Sequence, residues 1–139
     1  MSKVILITGA SSGMGKVTAE ELIKEGHTVY CAARNIGKMK ELENLGGKII
    51  KMDVSDSQSL KPGVDQIIST EGKIDVLWNN AGFGLYGPVE EISIKKARYQ
   101  FDVNIFGLAE LTQLILPHMR GQKSGLIIYT SSMGGKIYT

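Results

Sequence analysis

"LITGASSGMGK", residues 6–16, continues the apolar run Val4–Thr8 into a stretch with three glycines and two serines. A β-rich run that passes through such a loop into helical period predicts a strand, a tight turn, and a helix whose N-terminus faces that turn. The helix should open near Gly13, where exposed N–H groups and a macrodipole equivalent to about half a positive charge await an anion. A diphosphate suits the position. Gly9 permits the turn, Gly13 admits a phosphate to the backbone with no Cβ in the way, Gly15 lets the helix pack closely, and Ser11 and Ser12 add hydroxyl donors. The spacing Gly-x-x-x-Gly-x-Gly is neither the G-x-G-x-x-G fingerprint nor a P-loop, because Lys16 is followed by Val17 rather than Ser or Thr. Taken alone, a glycine-rich turn without a ligand stays open.

Outward from this loop, short β-rich runs alternate with helical segments. Val4–Thr8, Thr28–Ala33, Lys48–Met52, Ile74–Trp78 and Leu126–Thr130 read as strands, several apolar at nearly every position, as strands covered on both faces must be. The pattern predicts an α/β fold, a doubly wound parallel sheet of about five strands with right-handed crossovers and helices on both faces. Helices are expected over Gly13–Glu25, ended by Gly26, and Lys38–Leu45, ended by Gly46. A third spans Ser57–Thr70, where Pro62-Gly63 predicts a kink or a late start. Ser93 is the N-cap of a long helical region reaching Met119, with Ala97, Phe101, Leu108, Leu111 and Ile115 on its apolar face. Asn104 and Gly107 interrupt that region, and helix propensity does not explain Asn104.

The 139 residues, 42% hydrophobic, suit one domain with one core. Sixteen Lys and Arg against 14 Asp and Glu leave +2 without a block of like charge, which disfavours nucleic acid or a membrane surface and favours small-molecule partners. A lone Cys31 cannot form an intrachain disulfide, and the first residues lack a basic, then apolar, leader, so the expected location is the cytoplasm. No apolar run approaches the roughly 18 residues of a membrane span, and His27, His118 and Cys31 form no metal-ligand set. Trp78 and Cys31 read as core residues.

"TGASSGMG" (residues 8–15), "NNAG" (79–82), Asn104 in "DVNIFG" and "YTSSMGG" (129–135) occur in the order and setting of the short-chain dehydrogenase/reductase family, which the whole chain resembles. "NAGFGLYGPVEEI" and "DVNIFGLAELTQLILPHM" are most similar to its retinol and 17β-hydroxysteroid dehydrogenase branch. The resemblance implies a Rossmann-type sheet of order 3-2-1-4-5. It assigns Gly9, Ser11, Ser12, Gly13, Met14 and Gly15 to the cofactor phosphates, and Asn80, Ala81 and Gly82 to the cleft after the fourth strand, with Asn80 also tying strands together. Asp53 and Val54 would contact the adenine; capping of the following helix is the other reading of Asp53.

At the end of the second strand, an NAD enzyme usually carries an acid for the adenosine ribose hydroxyls. Here that position is Ala33, followed by Arg34, whose guanidinium could clamp a ribose 2′-phosphate, with Lys38 adding charge nearby. NADP(H) is therefore expected over NAD(H), unless Arg34 only solvates a loop.

In this family a tyrosine is the general acid/base, a lysine lowers its pKa from about 10, a serine orients the carbonyl, and an asparagine holds a water in the proton relay. The motif match makes the serine Ser132 and the asparagine Asn104. The tyrosine and lysine should form Tyr-x-x-x-Lys, yet the fourth residue after Tyr30 is Arg34, after Tyr86 Glu90, after Tyr99 Val103 and after Tyr129 Met133, and Tyr138 has no fourth successor. Tyr138 also stands too near Ser132 and better suits the substrate entrance. The sequence is thus expected to stop short of the catalytic pair, the C-terminal part of the fold and the substrate loop, leaving a sheet edge and apolar flank that invite marginal stability or a homo-oligomer. The expected function is the cofactor-binding part of an NADP(H)-dependent alcohol/carbonyl oxidoreductase without turnover of its own. A non-catalytic NADP-binding or regulatory module is the alternative. Phe83, Leu85 and Tyr86 hint at an apolar substrate, or simply pack.

Overall fold

The computed structural model describes residues 1–137. Five strands, β1 (Val4–Thr8), β2 (Thr28–Ala33), β3 (Lys48–Lys51), β4 (Val76–Asn79) and β5 (Leu126–Tyr129), form one sheet in the order β3-β2-β1-β4-β5, and every pairing is parallel. Between them lie α1 (Gly13–Lys24), α2 (Lys40–Asn44), α3 (Ser57–Glu71), α4 (Ile94–Phe101) and α5 (Leu108–Gln122). β1, at the centre, is buried at all five positions. Because alternate residues face opposite sides, it feeds two cores. Val4 and Leu6 pack with Leu60, Val64 and Ile67 of α3 and Leu111 and Ile115 of α5. Ile5 and Ile7 join Ala19 of α1 and Leu42 of α2 on the other face.

The helix ends obey local chemistry. Gly26, Gly46 and Gly72 take the left-handed conformation after α1, α2 and α3. The second helix departs from expectation by beginning as a 3₁₀ turn, Ile36–Met39, capped by the Asn35 side chain, and it becomes α-helical only at Lys40. α3 begins at Ser57 with Pro62 inside the helix, so of the two expectations for this proline the late start does not occur. Its start is held instead by Asp56, which accepts from the Gln58 N–H, and by the Ser59 hydroxyl, which donates to the Asp53 carbonyl. Gly63 then lets the helix lie close to the sheet, where a Cβ would stand 2.5 Å from Cε of the buried Met52.

The long region after Ser93 is three pieces. Ser93 caps α4 by accepting from the Lys96 N–H; residues Asp102–Gly107 form a π turn; α5 continues to Gln122 with Pro117 inside. A Cβ on Gly107 would press on the Val54 carbonyl, so the missing side chain lets this turn seat against the loop after β3. At the other side of the sheet β5 is the edge strand, with Leu126 53% and Ile128 41% exposed on the face of α1.

Asp75 joins β1 to β4. Its Oδ2 accepts from the Val4 N–H at 2.8 Å and from Lys73 Nζ at 2.9 Å, while its own N–H donates to the Val4 carbonyl. Burial pushes the carboxyl upward, but Lys73 and the Val4 N–H outweigh it and hold the pKa below the ordinary value. A carboxyl depressed in the fold stabilises it above the unfolded pKa of about 3.9, and that contribution is lost as pH falls through the folded value. Asp75→Asn should therefore lower the thermal midpoint at pH 7, and the gap to the parent should shrink below about pH 4; a gap that is the same at both pH values would contradict this.

Candidate functional site

The order of the strands reverses between β1 and β4, and in open parallel sheets ligands bind in the crevice at such a switch point. There a cleft of about 1150 Å³ opens over the C-terminal strand ends. Its floor begins at Thr8, whose buried hydroxyl oxygen accepts from the N–H groups of Asn80 and Ala81, both at 3.0 Å. This bond set fixes the loop after β4 to the end of β1. Asn80 Nδ2 donates to the Gly9 carbonyl, and Asn80 Oδ1 accepts from Thr130, so one amide spans the exits of β1, β4 and β5. The Trp78 indole N–H donates to the Thr130 hydroxyl, and the ring packs against the core.

The glycines differ in what they avoid. Gly9, at φ +66°, turns the chain where a Cβ would come within 2.9 Å of the Ala81 backbone. Gly15 is buried, lies outside the cleft lining, and would set a Cβ 2.5 Å from Asn80 Nδ2 and 2.6 Å from the Gly9 carbonyl. Gly13, at φ +56°, has nothing within 4 Å of its Cβ position, which opens on the cleft. Ser11, Ser12 and Met14 line the same cleft, and the Ser12 side chain, at the N-cap of α1, makes no capping bond, so it stays free for a ligand. Lys16 is withdrawn from the cleft by an ion pair with Glu41 at 2.5 Å, which raises its pKa.

On the far side, Ala33, Arg34 and Lys38 line the cleft, and among the described residues neither cation enters an ion pair. Asp53 and Val54 line it too. The Asp53 Oδ1 accepts from both the N–H and the hydroxyl of Ser55, while the cap of α3 falls to Asp56, which corrects the capping alternative for Asp53. Ala81 and Gly82 complete the wall, and a Gly82 Cβ would stand 3.2 Å from Asn104 Oδ1. Asn104, on the π turn, holds the Phe83 backbone from both ends: Oδ1 accepts from its N–H at 3.0 Å and Nδ2 donates to its carbonyl at 2.7 Å. Ser132 lines the cleft beyond β5, its hydroxyl accepting from the Gly134 N–H. Tyr138 lies outside the described residues.

The fold thus gathers the candidate cofactor and catalytic residues named from the sequence around one opening, except Gly15; of the apolar candidates Phe83, Leu85 and Tyr86, Leu85 also lies outside the lining. Thr8, Thr130, Tyr99 and Val103 belong to the same wall and were not singled out. Thr8 stood inside the quoted loop motif and could have been found there, whereas Tyr99 carries no sequence signal. Cys31 is fully buried, and burial pushes its thiol up to about 12, so it is no nucleophile at neutral pH. Among the described residues no cluster of metal-ligating side chains occurs, and no helix is long and apolar enough to cross a membrane.

Residues 3–139 match the family model described as short chain dehydrogenase. A 3-ketodihydrosphingosine reductase of Bacteroides thetaiotaomicron is 43% identical over 134 residues, 96% of this chain and 48% of the relative. Human retinol dehydrogenase 8 is 34% identical, covering 96% of this chain and 45% of its own length. The crystal structure of a short-chain dehydrogenase from Streptomyces avermitilis superposes with a TM-score of 0.94 at 36% identity, over 99% of this chain and 52% of that one. The chain spans about half the length of the curated relatives it matches.

Proposed function

The chain belongs to the short-chain dehydrogenase family, and on that premise we propose that its 139 residues form the NADP(H)-binding part of an alcohol/carbonyl oxidoreductase. The single observation that carries the cofactor reading is that the open N-terminus of α1 at Gly13 and an Arg34 without an ion pair among the described residues share one cleft, at a strand end occupied by Ala33 instead of an acid. A bound dinucleotide would supply a hydride from the nicotinamide. The chain's own residues would bind and orient it: Gly9 to Gly15 around the diphosphate, Asp53 and Val54 at the adenine, Asn80 to Gly82 along the inner wall, Arg34 at the 2′-phosphate. Ser132 would orient the substrate carbonyl by donating its hydroxyl hydrogen. Asn104 would steady a water through the lone pair left on Oδ1.

No Tyr-x-x-x-Lys pair occurs in the sequence, so the proton donor of the family reaction is missing from these residues. The chain should bind NADPH, detected by its fluorescence, yet reduce no carbonyl compound, while a version extended through such a motif should do both. Absent NADPH binding overturns the function; turnover by the 139 residues alone overturns the division of labour. The same titration over a range of protein concentrations, with apparent mass followed by size exclusion, tests self-association through the exposed Leu126 and Ile128. The lone buried Cys31 is consistent with a reducing, cytoplasmic setting.

A further inference from the structure

Arg34 is tied to a residue far away in sequence. Its Nη1 donates to the Tyr99 hydroxyl at 2.5 Å, and its guanidinium lies 6.0 Å from the centre of the Tyr99 ring. Among the described residues this is the one side-chain hydrogen bond Arg34 makes. Tyr99 in turn rests on Phe83, ring centres 5.4 Å apart and tilted by 34°. Phe83 cannot drift, because both its N–H and its carbonyl are bonded to the Asn104 amide and the Gln100 amide also donates to that carbonyl. A continuous chain of contacts therefore runs from the π turn through two aromatic rings to the end of β2 along the lining of the cleft.

An exposed arginine samples many rotamers, and freezing them on binding costs affinity. A guanidinium carries five donors, so a single bond from Nη1 to Tyr99 leaves Nη2 and Nε for phosphate oxygens. Tyr99 offers an uncharged acceptor, which holds the cation without competing for its charge as a carboxylate would. We propose that Tyr99 is a positioning residue for cofactor choice: it presets Arg34 over the cleft so that the remaining guanidinium donors meet a ribose 2′-phosphate. This rests on the NADP(H) reading above.

Calorimetric titration with 2′,5′-ADP and with 5′-AMP isolates the 2′-phosphate. The parent should prefer 2′,5′-ADP, and Arg34→Ala should lose that preference. Tyr99→Phe keeps the ring and removes only the hydroxyl. It should weaken 2′,5′-ADP about fivefold, leave 5′-AMP unchanged, and add nothing further in the Arg34→Ala background, because the loss runs through Arg34. Equal losses for both ligands, or none, in Tyr99→Phe overturn the positioning role; if Arg34→Ala still loses its preference, the NADP(H) reading stands without it. If Arg34→Ala leaves 2′,5′-ADP binding intact, or the parent binds neither ligand, both fall.

Discussion

Gly15→Ala is expected to destabilise the fold through a backbone clash without touching the cleft, and Gly13→Ala, two residues earlier, to add backbone strain of similar size and to cost the chain its cofactor as well. The added methyl at position 15 meets the Gly9 carbonyl at 2.6 Å and the Asn80 amide at 2.5 Å, and the first of these is backbone that cannot swing aside. Forcing an extra methyl into such a junction costs about 1–3 kcal/mol, a large share of the roughly 5–15 kcal/mol that holds a domain together. It also strikes the amide that spans three strand ends. At position 13 the methyl meets no protein atom, so the fold loses only the left-handed strain of about 1–2 kcal/mol. The same methyl stands where a phosphate would approach the helix N-terminus, and NADPH should bind at least about tenfold more weakly. Thermal unfolding and NADPH titration of both variants check the pair. A Gly13→Ala chain that binds like its parent removes the phosphate from this loop.

Arg34→Ala is the second large effect. Charge-assisted hydrogen bonds contribute about 1.5–3 kcal/mol each, so losing even one to a 2′-phosphate should weaken NADPH binding by tenfold or more. NADH, which has no phosphate there, should bind as before. The change breaks no ion pair among the described residues and removes only the exposed bond from Arg34 to Tyr99, so stability should fall little and the comparison of the two dinucleotides stays clean. Equal losses for the two dinucleotides would return Arg34 to the role of a solvated loop residue.

Pro62 predicts a kink or a late start because it lacks a donor; the late start does not occur, because Asp56 accepts from the Gln58 N–H and Ser59 donates to the Asp53 carbonyl, contacts within six residues of chain. Elsewhere the deciding partner is distant in sequence. Gly107 looked like an interruption, and the carbonyl of Val54 explains it. Asn104 was recognised as a residue without a helical reason, and its amide proves to grip Phe83. Tyr99 was invisible, since an intermediate tyrosine on a polar helix has no spacing or motif to mark it.

By itself the sequence determined the strands, the glycine ends of the helices, the parallel α/β architecture and the glycine loop, Arg34 and Asn-Ala-Gly stretches that line the cleft, because apolar period and glycine placement act within a few neighbours along the chain. Only the tertiary structure decided which of those residues touch: that Gly15 serves packing while Gly13 faces the opening, that Thr8 pins the loop after β4, and that Arg34 is held by Tyr99. Those pairings join residues up to some seventy positions apart, as in the bonds of Thr8 to Asn80 and Ala81. They depend on distances set by the packing of α4, α5 and the sheet, which no local pattern encodes.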